Sequence, residues 1–416
     1  MVLLEDGFPG RLKGGRVVVH PMDGRYLLEA LLDAQAERPK RRLHAAIART
    51  ARAVVGRAEP LGDALVLRYV DTASSMAGGQ SHPSGLPQAY YAVALTRAAR
   101  LLGDGALQVA ADRFFAALLV PVADGGVLYP NGNGVALAQV PTRPRDLILN
   151  GWVSMLVSVH RYAELRDAQP ARELFAANLD TLRRLLPLYD VPALRLSRYG
   201  LTGPLQLRLD VSAPGVKVTD LRVALPGEGE VRLPAREGGR WTPRADVQDV
   251  ARRTARGRVE TVTLREGTLR CTAVLSRAGY PEPNRLRFRV TSRSKATLTT
   301  SAHVGQYDAD ASSPIEREWV ELDSRPIEAG THAVEIAIPY ETVDLVAYPT
   351  HFTRGLGGER VNSYHGTHIV RLRELAAITG DPELAEWAER WAGYVTEWPD
   401  LPELKGGTCW TPEGSL

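Results

Sequence analysis

The sequence predicts a multidomain α+β protein: an (α/α) toroid of about four helical hairpins, with an antiparallel β-sandwich inserted before the last hairpin. Three observations predict it. Apolar residues recur at helical spacing in paired stretches: Leu149, Trp152, Val153, Leu156, Val157 and Tyr162 share one face, and Leu174, Leu182, Leu185 and Leu186 repeat the pattern on a return helix. The stretch from Arg145 to Pro187 and its echo from Ser363 to Trp398 are each entered by a polar segment and joined by a short turn carrying Asp or Gly-Asp. Between Leu201 and about Ala347 the period changes from helical to two.

In order, residues 1–19 are short and Gly-rich, with one strand expected at Arg16–Val19. Hairpin one starts at His20, and Pro39 is expected to open its return helix. Hairpin two begins at Gly85 and hairpin three covers Asp146–Pro187; hairpin four is Tyr364–Trp398. A hairpin apolar on one face cannot bury that face alone, and packing copies side by side does so. A plain α-solenoid is the alternative arrangement. The segments QLRLDV, VKVTDLRVAL, RVETVTLRE, TLRCTAVLS, RLRFRVTS, ATLTTSAHV, REWVELD and HAVEIAIP alternate apolar and polar, as sandwich strands do. The expected domains are residues 1–200 (first part of the toroid), 201–347 (inserted sandwich) and 348–416 (last hairpin).

With 416 residues, 44% hydrophobic and 24% charged, the chain is of globular composition. A net charge of +3 with dispersed Arg argues against a dedicated nucleic-acid partner. Cys271 and Cys409 form no metal or disulfide pattern. No apolar run reaches membrane-spanning length, and MVLLEDGFPG lacks the features of a signal peptide, so a cytoplasmic location is expected. NGNG at Asn131–Gly134 reads as a turn.

The entries to the helices are rich in hydrogen-bonding groups: His20, Arg25, Tyr26, His82, Gln88, Tyr90, Tyr91, Arg143, Arg145, Asn150, Arg354, Arg360, Asn362, Tyr364, His365 and His368. In a toroid these entries line one mouth. The set suits a sugar acid, with Arg and Asn holding carboxylate and hydroxyls while Tyr and His move protons. Plainer readings stand beside this one. His365 and His368, at i and i+3, fit a metal pair, a hydrogen-bonding site or satisfied core histidines. Of the adjacent Tyr90 and Tyr91, only one can face a cavity. Asn150 also fits a helix cap, and Arg143 and Arg145 fit a charged surface.

Four stretches resemble the C-terminal domain of the D-glucuronyl C5-epimerase family: GLPQAYYAVALTRAARLL, PTRPRDLILNGWVSMLVSVHRYAEL, LPLYDVPALRLSRYGLTG and NSYHGTHIVRLRELAAITGDPELAEWAERW. The order LNGW, LPLYD, YHGTH carries the resemblance. The sandwich interrupts the family pattern between the last two motifs, and the family's usual N-terminal β-domain has no counterpart. The resemblance implies a toroid that binds a uronic-acid polysaccharide and inverts C5 of glucuronate to give iduronate, with no metal or organic cofactor. It implies Tyr199 and Tyr364 as catalytic residues. Substrate contacts would come from His82, Gln88, Tyr91, Arg143, Arg145, Asn150, Arg354, Arg360, His365 and His368. The family's third tyrosine is replaced by Val140, its neighbouring carboxylate by Gln139, and Thr202 stands near the position of a family arginine.

Proton loss from C5 gives a dianionic enolate, so the adjacent carboxylate must be neutralised. Inversion then needs a proton acceptor on one face of C5 and a donor on the other. Tyrosine serves for both if cations lower its reference pKa of about 10. The same carbanion can expel the C4 substituent, which is lyase chemistry, and a non-catalytic glycan-binding scaffold is the third reading. The expected partner is an anionic uronic-acid polysaccharide, with no nucleic acid and no membrane span. A homodimer is left open.

Overall fold

A computed structural model describes residues 2–69, 81–130, 134–142, 144–233, 235–236, 262–263, 268–304, 318–340, 350–354, 358–411 and 414–415. Arg143, most of the RVETVTLRE strand and most of the NGNG turn lie outside the described residues. The chain is mixed α/β and divides into two compact units, Met1–Thr142 with Gly151–Leu182, and Arg143–Asn150 with Arg183–Leu416.

The helices are α1 (Pro21–Glu37), α2 (Arg41–Arg57), α3 (Gly85–Leu102), α4 (Gly105–Ala116), α5 (Leu149–Arg166), α6 (Gln169–Leu185), α7 (Ser363–Thr379) and α8 (Pro382–Glu397). The Gly-Asp turns work as paired stop and start signals. Gly103 and Gly380 take the left-handed conformation that ends α3 and α7. Asp104 and Asp381 then accept the first backbone N–H groups of α4 and α8. At the third hairpin Asp167 itself adopts φ +52°. Pro39 does not open α2 as expected; it precedes the N-cap, Lys40, and the helix starts at Arg41.

In the first unit α1 packs on α2 and α3, and α4 on α2 and α3. Asn178 of α6 is the buried polar partner of the LNGW tryptophan: its Oδ1 accepts from Trp152 Nε1–H (3.0 Å) and Leu137 N–H (2.9 Å), and its Nδ2 donates to the Leu174 carbonyl. Such satisfaction is what burying an amide requires. Gly151 is needed because a Cβ there would lie 1.9 Å from Gln139 Oε1.

The second unit contains two antiparallel sheets. Their strands are β1 (Thr202–Val211), β2 (Lys217–Leu225), β3 (Gly229–Arg232), β4 (Ala235–Arg236), β5 (Val262–Thr263), β6 (Thr268–Ser276), β7 (Asn284–Ser292), β8 (Ala296–Val304), β9 (Glu318–Ile327) and β10 (Gly330–Ile338). One sheet runs β4-β6-β1-β8-β9; the other runs β3-β2-β7-β10, with β5 beside β2. Strict alternation sends Leu286, Phe288 and Val290 of β7 inward and Arg285, Arg287 and Arg289 outward. Leu207, Leu209, Leu275 and Leu298 of one sheet share an apolar cluster with Val223, Phe288 and Ile336 of the other. Each such side chain contributes about 1.5–3 kcal/mol by leaving water.

Candidate functional site

The site is built in the second unit, where the chain leaves α6 and where α7 begins. LPLYD is an anchor. The Tyr189 hydroxyl donates to the Leu147 carbonyl (2.5 Å) from a fully buried position. Asp190 accepts from Trp391 Nε1–H (3.0 Å), the Tyr394 hydroxyl (3.0 Å) and Arg390 Nε–H (2.9 Å), fastening the motif to α8. Residues 190–191 then pair with 196–197, which aims the following SRYG segment.

Tyr199 is fixed by its backbone neighbours. Its carbonyl accepts from Leu149 N–H (2.9 Å), and the preceding Arg198 N–H donates to Tyr189 (2.6 Å). The buried Asp146 accepts from Leu201 N–H (3.1 Å) on the far side. Tyr364 sits in the first turn of α7, whose N-cap Asn362 accepts from His365 N–H (3.0 Å) and donates to Thr350 (3.1 Å). The two half-buried phenol rings meet edge to face, with centroids 4.8 Å apart and planes at 64°. The His351 ring centroid is 6.0 Å from that of Tyr364, with planes at 58°.

Beneath the tyrosines is a buried polar clasp. His365 Nε2 lies 3.0 Å from the Trp391 carbonyl, so it carries the proton and donates. Its Nδ1 is then the acceptor for Ser197 N–H (3.1 Å). The Ser197 hydroxyl stands between His365 Nδ1 (2.8 Å) and His368 Nδ1 (2.7 Å). Burial pushes His365 down to about 4 and His368 well below the ordinary histidine range, because a charged imidazole there would be unsolvated. Burial also pushes Asp146 up to about 6, against the hydrogen bonds from Thr202 and Leu201, which favour its ionised form.

The structure redirects several of the expected substrate contacts. His365 and His368 are fully buried: His365 bonds the Ser197 N–H and the Trp391 carbonyl, and His368 meets the Ser197 hydroxyl. Tyr91 is also fully buried, its hydroxyl donating to the Pro21 carbonyl. Gln88 reads both backbone groups of Leu67 and the Ser84 carbonyl. Arg145 is buried against Glu228, with Nε to Oε1 at 3.0 Å. Arg360 donates to the Glu403 and Lys405 carbonyls. Apart from His368, each of these side chains is engaged with backbone groups or in a buried ion pair.

Arg354 and Asn150 keep accessible surface, while His82 is buried. Arg354 is exposed on the strand antiparallel to Arg360–Val361, and the latter leads directly into Asn362, the N-cap of α7. Asn150 is half-buried at the start of α5. In the first unit His82 stacks on Tyr69 (5.4 Å, 8° between planes), and Tyr69 meets His20 edge-on at 5.1 Å. Arg25 lies 3.9 Å over the Tyr90 ring and pairs with Glu29. Val140 is buried.

Asp146, Ser197 and His351 have structural places that sequence reasoning missed. Asp146 had one usable signal: a lone carboxylate inside the otherwise apolar or basic run RPRDLIL. Among the described residues no group of three or more His, Cys, Asp or Glu is placed to hold a metal ion, and no described helix is long and apolar enough to cross a membrane. Both cysteines are buried and unpaired, their thiols pushed up to about 12 by burial.

Comparison with known proteins gives a partial match. Residues 68–205 match the family model for the D-glucuronyl C5-epimerase C-terminus. A D-glucuronyl C5-epimerase from Caenorhabditis elegans is 27% identical over 119 residues, covering 26% of this chain and 19% of that protein. The chain therefore spans about a fifth of the curated relative's length. Two solved structures are distantly similar. A GH8 endo-beta-1,4-glucanase from an Achatina fulica gut metagenomic library is 15% identical, covers 44% of this chain and 55% of that one, and has a TM-score of 0.30. The endo-beta-1,4-glucanase CMCax from Acetobacter xylinum is 14% identical, covers 46% and 58%, and has a TM-score of 0.32.

Proposed function

We propose that this chain, whose residues 68–205 are a divergent D-glucuronyl C5-epimerase C-terminal segment, abstracts and returns the C5 proton of uronic-acid residues in a polysaccharide. The observation that carries the reading is the Tyr199–Tyr364 contact at 4.8 Å. It joins the tyrosine of the matched segment to one that lies beyond it. The (α/α) toroid with an inserted β-sandwich, divided as residues 1–200, 201–347 and 348–416, belongs to the same reading.

In the proposed step a phenolate takes the C5 proton, and the C–H electron pair passes into the adjacent carboxylate as an enolate. Arg354 is the cation best able to hold that carboxylate, since Arg145 and Arg360 are engaged elsewhere. A second phenol then returns a proton to the opposite face. A pyranose cannot enter between two rings already in contact. The hydroxyls must therefore flank C5 from the outer ends of the pair, or His351 must serve one face. Epimerisation of glucuronate to iduronate is the outcome if both faces are served.

Incubation with heparosan and related uronate polymers in D2O, followed by NMR, tests this. Deuterium at C5 that is lost in Tyr364→Phe supports the reading, and iduronate signals establish inversion. Unsaturated, UV-absorbing chain ends would instead identify a lyase. Binding without exchange on any uronate polymer would make the chain a glycan-binding scaffold, with valine in place of the family's third tyrosine at position 140 as the decisive loss.

A further inference from the structure

The outer face of the β3-β2-β7-β10 sheet is unequally charged. Alternation presents Lys217 and Arg222 from β2, Arg232 from β3, and Arg285, Arg287 and Arg289 from β7. The carboxylates beside them are Asp220, Glu230 and Glu335. Among the described residues of this face, six cations stand against three carboxylates, an excess of three.

All three carboxylates are already engaged. Arg222 pairs with Asp220 and Glu230, Arg287 with Glu230 and Glu335, and Arg285 with Glu335. Lys217, Arg232 and Arg289 are exposed and have no ion-pair partner among the described residues. Lys217 stands opposite Thr291, and Arg289 opposite Thr219, so the two cations are diagonal neighbours with threonines between them. Thr331 and Ala333 continue the rows on β10. Small side chains leave the cations standing above a flat floor, with rows about 4.8 Å apart across the strands and about 6.8 Å along them.

The rest of the chemistry on this face selects among polyanions. The outward positions are Lys, Arg, Thr, Ala and acidic residues. Among the described residues they include no aromatic ring to stack a nucleobase and no apolar wedge to enter a bilayer. Interleaved carboxylates repel a densely charged phosphate backbone. Isolated carboxylates separated by hydroxyls fit better: cations meet the carboxylates and threonines meet the hydroxyls.

We infer that this face is a second docking surface for the uronic-acid polysaccharide, with Lys217, Arg232 and Arg289 holding its carboxylates. The inference rests on the uronate reading above and adds a partner-holding surface apart from the tyrosine pair. A long chain would remain attached here between encounters with the tyrosines, raising its effective concentration at them.

The test compares the wild-type chain with a Lys217→Glu, Arg289→Glu double variant, using long heparosan and a heparosan tetrasaccharide. Both positions are exposed, so an unchanged Tm is expected. The Kd for long heparosan should weaken roughly tenfold at low ionic strength, with the difference shrinking above about 0.15 M salt. C5 deuteration of the tetrasaccharide should be unchanged. An unchanged Kd for the long polymer overturns the docking surface, whether or not exchange occurs. If no uronate exchanges while polymer binding still falls in the double variant, the catalytic reading fails and the docking surface stands. Tighter binding of single-stranded RNA or DNA than of heparosan at equal ionic strength overturns the glycan assignment.

Discussion

A methyl group on Gly200 would stand 2.2 Å from Asp146 Oδ1. The missing side chain lets the Asp146 carboxylate reach the N–H groups of Leu201 and Thr202 and so fix the segment carrying Tyr199. Gly200→Ala must push the segment or the carboxylate aside. The expected cost is about 1–3 kcal/mol of stability, read by urea unfolding, with a larger fractional loss of C5 exchange than Tm alone would account for. Unchanged exchange would mean that the position of Tyr199 does not matter.

Asp146 also has a pH signature. Its folded-state pKa, about 6, is above the value of an unfolded aspartate. The native state therefore holds a proton that the unfolded state has released, and stability falls as pH rises from about 4 to about 6. The shift corresponds to about 3 kcal/mol. Asp146→Asn keeps the acceptor oxygen but cannot ionise. Its stability relative to wild type should rise across that window, as measured by denaturant unfolding at several pH values; a parallel pair of profiles would refute this.

The two histidines act in the opposite sense. His365 and His368 are held below the ordinary histidine pKa, so the unfolded state takes up protons first. Their contribution is present above about pH 6.5 and is lost as pH falls toward 4. Ser197→Ala removes the hydroxyl between them and strips His368 Nδ1 of its partner, for an expected loss of about 1–3 kcal/mol. Ser197→Thr, which keeps the hydroxyl, should recover much of it. If alanine and threonine behave alike, the hydroxyl bridge contributes nothing.

Asp190 ties two indole and phenol donors of α8 to LPLYD. Asp190→Ala leaves the Trp391 indole N–H without its acceptor and should cost about 2–4 kcal/mol. Tryptophan fluorescence should report a wetter Trp391. Asp190→Asn, which can still accept, should cost less.

The hairpins were legible because helical periodicity and Gly-Asp turns are local signals, as the paired roles of Gly380 and Asp381 show. The strands were legible for the same reason, β7 most plainly. The pairing of Tyr199 with Tyr364 was reached only through a motif resemblance. Ser197 was not found at all: its partners are 168 and 171 residues away, and no spacing encodes such a contact. Tyr91, Gln88 and His365 show the converse limit. A polar residue at a helix entry can serve the backbone or a ligand equally well, and residue type does not say which way it points.

Ser197 and His365 stand on either side of the whole inserted sheet segment, separated by 168 residues. Closing a loop of that length in a disordered chain is entropically costly and slow, whereas a folded insert brings its two ends together at once. Maturation of the tyrosine pair should therefore follow collapse of the sheets during refolding. Recovery of the proposed C5 exchange should then lag the recovery of β-structure, so that the exchange would time the folding of the sheets.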